Sequence, residues 1–379
     1  MNANDVTWID DPASLQQFCG DAVGRPLAVD TESDHFHAYQ ARICLLQVAT
    51  PERIALIDPL ELNADDLQPL FERLLDPEQL KILHAAQNDL GELTRDYGVS
   101  IRNLFDTRVA ARFLGTEKNS LSWLLENLLD REPAPSFSRF DWSTRPLPRR
   151  ASHYAAQDVA HLLELQKRFE PRLVDEGWYD AFAQTCTHIA TTTEYQASDF
   201  DPQGWAKIKG ADKLDGPGRA ILRRLYLWRH ELCTTLNRAA FLIVPNRLLI
   251  SLARHRLQDP ADIADHSYAT SVSRERAAEI SSIVEGALQD DPPELPERDR
   301  RRHRPDAAQR KIYDALRSWR NEQARDLAIP GEYIGTNAQF RTLCEDPPSS
   351  LDELATAPGI LPWHVDLFGD QLLDIIHTA

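Results

Sequence analysis

In the first half of the chain, short apolar runs alternate with stretches whose apolar positions recur at helical spacing. Pro26-Leu27-Ala28-Val29-Asp30 has the length and composition of a buried strand. Residues 41–50 and 53–57 read as two more strands joined by a turn at Pro51-Glu52, and Lys81-Ile82-Leu83-His84 reads as a fourth. Helical periodicity covers residues 64–75, 87–97, 107–114, 120–129 and 148–172. Strands alternating with helices predict an α/β domain in which helices cover a sheet. Between residues 131 and 150 four prolines and several arginines replace the aliphatic pattern, which predicts a long mobile loop.

Past Thr193 the strand signals fade and helical patterns fill residues 205–290 and 305–379. These two stretches repeat. When Trp228 is set against Trp319 without gaps, Arg229 meets Arg320, Glu231 meets Glu322, Leu236 meets Leu327, Ile243 meets Ile334 and Asn246 meets Asn337. Leu249 and Leu252 then face Phe340 and Leu343. Solenoid repeats run to ~20–50 residues, so this longer period predicts a duplicated helical domain. The proline- and charge-rich stretch between the copies reads as a linker. The chain thus divides into 1–195, 205–290, a linker at 291–304, and 305–379.

Composition adds constraints. Hydrophobic residues make up 42% and charged residues 27%, enough apolar content for each part to pack a core. No apolar run approaches the ~18 residues of a membrane span, and the stretch from Met1 to Trp8 lacks the basic start and apolar run of a signal peptide. Cys19, Cys44, Cys186, Cys233 and Cys344 are odd in number, scattered and without a CxxC pair, which predicts reduced thiols in a cytoplasmic protein. A net charge of −17 argues against a nucleic-acid partner, because phosphate binding needs Lys and Arg. The placement of the cations softens that argument: Lys207, Lys209 and Lys213 lie close together, as do Arg219, Arg223 and Arg224, and Arg298, Arg300, Arg301, Arg302 and Arg304 form the densest run.

Three segments place acids where metal chemistry needs them. Asp30-Thr31-Glu32 ends the first strand, and side chains at i and i+2 share a strand face. Asp89 falls in the first turn of a helix that follows the fourth strand. Tyr154 and Asp158 are spaced i and i+4, on one face of the last helix of the domain. Each has an ordinary explanation alone: a solvated strand end, an acid favoured by the helix dipole, or a half-buried aromatic beside a surface carboxylate. Their order along the chain is what carries information.

In that order the chain resembles the DEDD-type 3′→5′ exonucleases of the tyrosine subclass, and within them the ribonuclease D family. The strand Ile43-Cys44-Leu45-Leu46-Gln47, Phe105-Asp106-Thr107, Asp141-Trp142 and Arg145-Pro146-Leu147 are similar to the family's, and the repeats resemble its HRDC domains. Two positions depart: Pro135-Ser136 stands where the family has Lys-Ser, so that a phosphate contact is either missing or supplied by a nearby residue such as Arg139, and Ala240 replaces a proline usual in the first repeat. The resemblance implies a ribonuclease H-like α/β exonuclease domain, with a mixed sheet flanked by helices, followed by two all-α HRDC domains. It implies two divalent cations, Mg²⁺ or Mn²⁺, on Asp30, Glu32, Asp89 and Asp158, with Tyr154 orienting the attacking water. Thr31, His84, Trp142, Arg145 and Arg301 become candidate substrate contacts, with Arg149 and Arg150 beside them. The partner implied is RNA with a free 3′ end, such as a tRNA precursor, acted on by a monomer with no small-molecule cofactor and no membrane association. All catalytic positions precede residue 172, which predicts chemistry confined to the first domain and RNA capture by the repeats. A DNA exonuclease and an inactive binding scaffold are the alternatives; the chain has no GxxxxGK[ST] helicase motif, and all five positions are intact.

Overall fold

The computed structural model describes residues 6–135, 137–195, 200–296 and 306–378. Arg301 and its neighbours Arg298, Arg300, Arg302 and Arg304, together with Ser136, lie outside the described residues. The first domain runs β1 (Val6–Ile9), α1 (Pro12–Asp21), β2 (Leu27–Ser33), β3 (Ile43–Ala49), β4 (Ile54–Ile57), α2 (Gln68–Leu75), β5 (Lys81–Leu83), α3 (Gln87–Tyr97), β6 (Leu104–Asp106), α4 (Thr107–Phe113), α5 (Leu121–Leu129), α6 (Arg149–Ala160), α7 (Leu162–Asp175) and α8 (Tyr179–Thr192). The strands form one mixed sheet in the order β1-β4-β3-β2-β5-β6. β3 is antiparallel to both neighbours and the other pairings are parallel.

β3 is buried at every position, as an apolar strand covered on both faces should be. β2 is different: Leu27, Ala28 and Val29 are buried, and from Asp30 to Glu32 the strand is half-buried. It therefore leaves the core at the point where its acids begin. The edge strands β1 and β6 have no counterpart in the sequence reading; one spans four residues and the other three, too short for a period to register. The expected helix over 148–172 is two helices. At His161 the backbone leaves the helical region (φ −116°, ψ 0°), so that α6 lies over β2, β3 and β4 while α7 turns toward α4 and β5. No Gly or Pro marks that break in the sequence.

The first helical unit comprises α9 (Gly216–Leu236), α10 (Ala240–Ile243), α11 (Asn246–His255), α12 (Pro260–Ala264), α13 (Ser271–Glu275) and α14 (Ala277–Ala287). The second comprises α15 (Ala307–Asp326), α16 (Gly331–Ile334), α17 (Asn337–Glu345), α18 (Leu351–Thr356) and α19 (Pro362–Thr378). Both use one internal frame. Arg229 donates to the Val244 carbonyl at 2.7 Å and to Asn246 Oδ1 at 2.8 Å; Arg320 donates to the Gly335 carbonyl at 2.8 Å and to Asn337 Oδ1 at 3.0 Å. Each guanidinium thus ties a long helix to the start of a later one across the same sequence separation. Trp228 and Trp319 likewise each donate their indole N–H to a side chain of a following helix, Glu279 and Gln371.

The two units attach differently. The first has a core of its own around Trp205, Leu225 and Leu249. The second shares a continuous core with the α/β domain. There Phe113 of α4 stacks on Tyr333 at 5.1 Å and meets Trp363 edge-on at 5.8 Å, Arg112 pairs with Glu332, and the Trp363 amide donates to Gln184. The second unit is continuous with the catalytic domain because its apolar face closes over α4 and α8. Among the described residues no helix is long and apolar enough to cross a membrane.

The Arg229 guanidinium is buried and that of Arg320 half-exposed. Arg229→Ala leaves the buried Val244 carbonyl unpaired and frees the exposed Asn246 side chain, and should lower the unfolding free energy of the first unit by about 1–3 kcal/mol; Arg320→Ala should cost less in the second. Urea unfolding followed by tryptophan fluorescence checks this; no measurable loss in Arg229→Ala would remove the bond pair from the frame.

Candidate active site

The cleft of about 790 Å³ beside the exit of β2 is lined by Asp30, Glu32, Asp89, Tyr154 and Asp158 together, and by Thr31, His84 and Trp142. Three pieces of backbone converge there. The β2 exit carries Asp30 and Glu32, α3 carries Asp89 in its first turn, and α6 presents Tyr154 and Asp158 from above the sheet. Carboxylate oxygens of Asp30, Glu32 and Asp158 lie within 4.8 Å of one another.

Asp89 is placed by hydrogen bonds from β2. The Thr31 amide donates to Asp89 Oδ1 at 3.0 Å and the Thr31 hydroxyl to the same oxygen at 2.7 Å. Thr31 therefore positions a carboxylate from within the Asp-Thr-Glu segment. The start of α3 is fixed from below. The buried Asp106 accepts from the amides of Ala85 (3.0 Å) and Ala86 (2.9 Å) while also capping α4 through Arg108 and Val109. Ala85 takes a left-handed φ of 62°, which an alanine tolerates only when the surroundings hold it. His84 sits beside this turn. The Thr107 hydroxyl donates to the Leu83 carbonyl and so accepts from His84 Nδ1 at 2.9 Å, and burial depresses the imidazole's pKa below its usual value.

Electrostatics follow from this crowding. Burial, then Asp89, Asp158 and Glu32, push the Asp30 carboxyl well above the ordinary range. Burial and the neighbouring acids raise Glu32 to about 9. Burial raises Asp89 and Asp158 to about 7, against the opposing hydrogen bonds from Thr31 and Tyr154 respectively. Burial first, then Asp158, Glu32 and Asp30, push the Tyr154 phenol far above its usual value. Among the described residues no Lys or Arg pairs with any of these four acids; Arg95, which also lines the cleft, is bound to Asp96 at 2.5 and 2.8 Å. Gln47, opposite Asp30 on β3, is fully buried and its amide has no hydrogen-bond partner. A set of buried oxygen donors without a cation fits one or more hard divalent ions.

Several candidate contacts take other roles. Trp142 is 2% exposed, with Phe140 at 5.1 Å and Tyr154 at 6.1 Å, so it backs Tyr154 within an aromatic wall and has no free face for a base. The Arg145 guanidinium is committed to Asp58 by two bonds (2.5 and 2.7 Å) and to the carbonyls of Cys44, Trp142 and Thr144, away from the cleft. These bonds also tie down the segment read as a mobile loop. Arg149 and Arg150 are exposed at the start of α6, outside the cleft lining. Sequence reading passed over Glu92, which lines the cleft and accepts from the Ser33 hydroxyl at 2.6 Å. Its signal was present, since Asp89 and Glu92 are spaced i and i+3 on one helix face.

The match to known proteins follows this geometry. Residues 6–174 fit a family model described as "3'-5' exonuclease", and residues 309–376 one described as "HRDC domain". The chain is 33% identical over 267 residues to "Ribonuclease D" of Pseudomonas paraeruginosa, across 70% of this chain and 69% of that one. The chain belongs to the ribonuclease D family. It is accordingly a 3′→5′ exoribonuclease, a hydrolase of phosphodiester bonds. The crystal structure of Escherichia coli RNase D, an exoribonuclease involved in structured RNA processing, superposes over 100% of this chain and 99% of its own with a TM-score of 0.64 at 25% identity. "Exosome complex exonuclease RRP6" of Saccharomyces cerevisiae is 25% identical over 297 residues, and the chain spans 40% of that protein's length.

The raised acid pKa values fix a sign for the metal-free protein. A carboxyl whose folded pKa exceeds its unfolded one binds protons more tightly when folded, so its contribution is present at low pH and lost as pH rises. The window opens near the ordinary carboxyl values of 3.8–4.5 and extends through about 7 for Asp89 and Asp158 to about 9 for Glu32. In chelator, the melting temperature should fall by several degrees between pH 5 and 8. Asp30→Asn, which removes one repelling charge, should melt higher at pH 8 and show a shallower fall; parallel curves for the two proteins would mean that the acids do not interact.

Proposed function

We propose that Asp30, Glu32, Asp89 and Asp158 hold two divalent cations, Mg²⁺ or Mn²⁺, and that the cleft releases 5′-mononucleotides stepwise from a free RNA 3′ end. The observation that carries this reading is the gathering of one buried and three half-buried carboxylates with no lysine or arginine among the described residues to neutralise them. All-oxygen donors suit these ions over softer metals. Divalent cations held there would acidify water and offset charge at the scissile phosphate. The chain's own groups do the rest. Tyr154 keeps its proton through the physiological range because burial and the acids raise its pKa. Its hydroxyl therefore aligns water by hydrogen bonding and does not act as a full base. The hydroxyl donates to Asp158 on the same helix face, which leaves its lone pairs to accept from that water. Water adds to the terminal phosphorus, the bond to the preceding 3′ oxygen breaks, and that oxygen takes up a proton, leaving a nucleoside 5′-monophosphate and a chain one unit shorter. Neutral His84 and Thr31 flank the terminal nucleotide.

This assignment is that of the tyrosine subclass of DEDD exonucleases. Residues 205–290 are read as a second HRDC copy, supported by the Arg229–Asn246 and Arg320–Asn337 bonds. The substrates are tRNA precursors and other small structured RNAs, a reading supported by the structured RNA processing in which the E. coli relative is involved. The protein acts as a cytoplasmic monomer.

Asp30→Asn should reduce Mg²⁺- or Mn²⁺-dependent cleavage by about a hundredfold or more with unchanged circular dichroism; turnover near wild type would remove Asp30 from the site. On end-labelled RNA, a 5′ label should give a ladder shortening by single nucleotides and a 3′ label only mononucleotide. A covalently closed circle of the same sequence should survive, and its efficient cutting would replace the exonuclease geometry with an endonuclease one.

A further inference from the structure

The first helical unit carries a cavity of about 550 Å³ whose lining includes Lys209, Asn246, Arg247, Arg254, His255 and Tyr268 and no carboxylate. In a chain of net charge −17 that is an unusual concentration. Elsewhere on the unit some cations are matched, Lys207 with Asp201, Arg224 with Asp290, Arg256 with Asp215 and Arg276 with Glu279; among the described residues Lys213, Arg219, Arg223, Arg238 and Arg274 are in no ion pair, and none of them lines this cavity. Among the described residues, Lys209, Arg247 and Arg254 take part in no ion pair; all three are exposed. The Arg247 guanidinium lies over the Tyr268 ring at 4.6 Å, and Tyr268 is itself 39% exposed. The cavity thus offers unpaired cations beside an accessible aromatic face, the two elements that hold a nucleic-acid backbone and an adjacent base.

The duplicated frame supplies an internal control. At the offset that superposes Arg229 on Arg320, Arg247 corresponds to Ala338, Arg254 to Glu345 and His255 to Asp346. At these three positions the first unit carries cations and the second neutral or acidic groups under the same Arg–Asn bond, although the second unit's helix bears Arg341 where the first has Ile250. The fold does not require these cations.

The unit is also fixed to the wall of the catalytic cleft. Asn237 Oδ1 accepts from the amides of Tyr39 (3.2 Å) and Gln40 (2.8 Å), the Ala239 amide donates to the His37 carbonyl at 2.8 Å, and the Tyr39 hydroxyl meets His230 at 2.7 Å. The segment so gripped is the one that contributes His35, Phe36 and Ala41 to the cleft lining.

We propose that this cavity is an RNA-backbone site that holds the body of a substrate while its 3′ end enters the cleft, and that the second unit has no such site and acts as a structural part of the catalytic domain. The inference rests on the exoribonuclease reading for its ligand. Arg247 and Arg254 are seven residues apart on α11, about 10 Å along the helix, a span that suits successive phosphates and exceeds a single one.

The test uses the full chain and a hairpin RNA with a 3′ single-stranded tail. Binding is titrated against salt in chelator, where cleavage is off. Replacing Lys209, Arg247 and Arg254 together by Glu should weaken binding by tenfold or more and lower the slope of log K against log salt by about three, near one per lost phosphate contact. Substitution of all three by Gln, which is gentler on folding, should give an intermediate loss. Arg341→Glu in the second unit should leave affinity and slope unchanged, and cleavage of a short unstructured oligonucleotide should proceed at the wild-type rate in every variant. Wild-type affinity and slope in both triple variants would overturn the site, and an equal loss from Arg341→Glu would overturn the asymmetry. Competition by polyglutamate as effective as by RNA would assign the cavity to an acidic protein partner instead. A wild-type chain that binds with the expected slope yet cuts no RNA in Mg²⁺ or Mn²⁺ would leave the cavity standing and remove the catalytic reading.

Discussion

Carboxylates repel one another, and the strength of that repulsion rises as water is removed. Asp30, Glu32, Asp89 and Asp158 are nevertheless held in one cleft, and the surrounding structure is arranged to keep them there. Asp30 and Glu32 are registered against Gln47 and Leu45 of β3, so they cannot move apart without breaking that pairing. Thr31 ties Asp89 to that strand by two bonds to one oxygen, and Asp106 pins the turn from which α3 springs. The aromatic wall of Phe137, Phe140 and Trp142 backs Tyr154 and keeps α6 in place over the strands. Each of these contacts is neutral or hydrogen-bonded, so the site is rigid without being neutralised. A rigid anionic site has a strong affinity for cations built in, since no reorganisation is needed when one arrives.

This arrangement explains which parts of the site were legible in the sequence. Asp30 and Glu32 could be paired because strand spacing is fixed at two, and Tyr154 and Asp158 because helix spacing is close to four. Both are local rules. The contacts that aim these groups are not local: Thr31 and Asp89 are 58 residues apart, and Arg145 and Asp58 are 87 apart. Composition and spacing showed that Arg145 lies in a proline-rich basic segment but not that a buried carboxylate waits for it. Trp142 misled for the same reason, since a tryptophan in an irregular stretch looks available until the residues around it are known. The strands β1 and β6 escaped because an edge strand of three or four residues is defined by its neighbour and carries no period of its own. Glu92 was within reach of the helix rule, but a glutamate one turn into a helix looks like any solvated acid until the Ser33 hydroxyl is seen to meet it.

The helical repeats show how one frame serves two ends. Arg229 and Arg320 make the same pair of bonds, and a buried charged donor of this kind is costly to lose, so the frame resists change while its outer faces diverge. In the second unit the divergence produced an apolar and aromatic face, Tyr333 and Trp363, that merges with the catalytic core. In the first it left polar grips on the segment 37–40 and a cluster of unpaired cations. Removing the second unit would expose Phe113, which is 1% accessible when covered. The first unit, with a separate core, has no such claim on the catalytic domain.

An acidic protein that acts on RNA faces a conflict that only geometry resolves. At physiological salt, exposed charges are screened beyond about 8 Å, so RNA near the surface responds to the few residues it touches and little to the net charge of −17. What matters is then whether a cation is free or already matched. Lys207, Arg224, Arg256 and Arg276 are matched and contribute nothing to an incoming phosphate without first losing a partner. Lys209, Arg247 and Arg254 need lose none. The surrounding acids then help, because they disfavour every other mode of contact at short range. On the proposal above, the negative balance that argues in sequence against an RNA partner would confine RNA to the face that carries the cavity's unpaired cations, with only its end reaching the carboxylates.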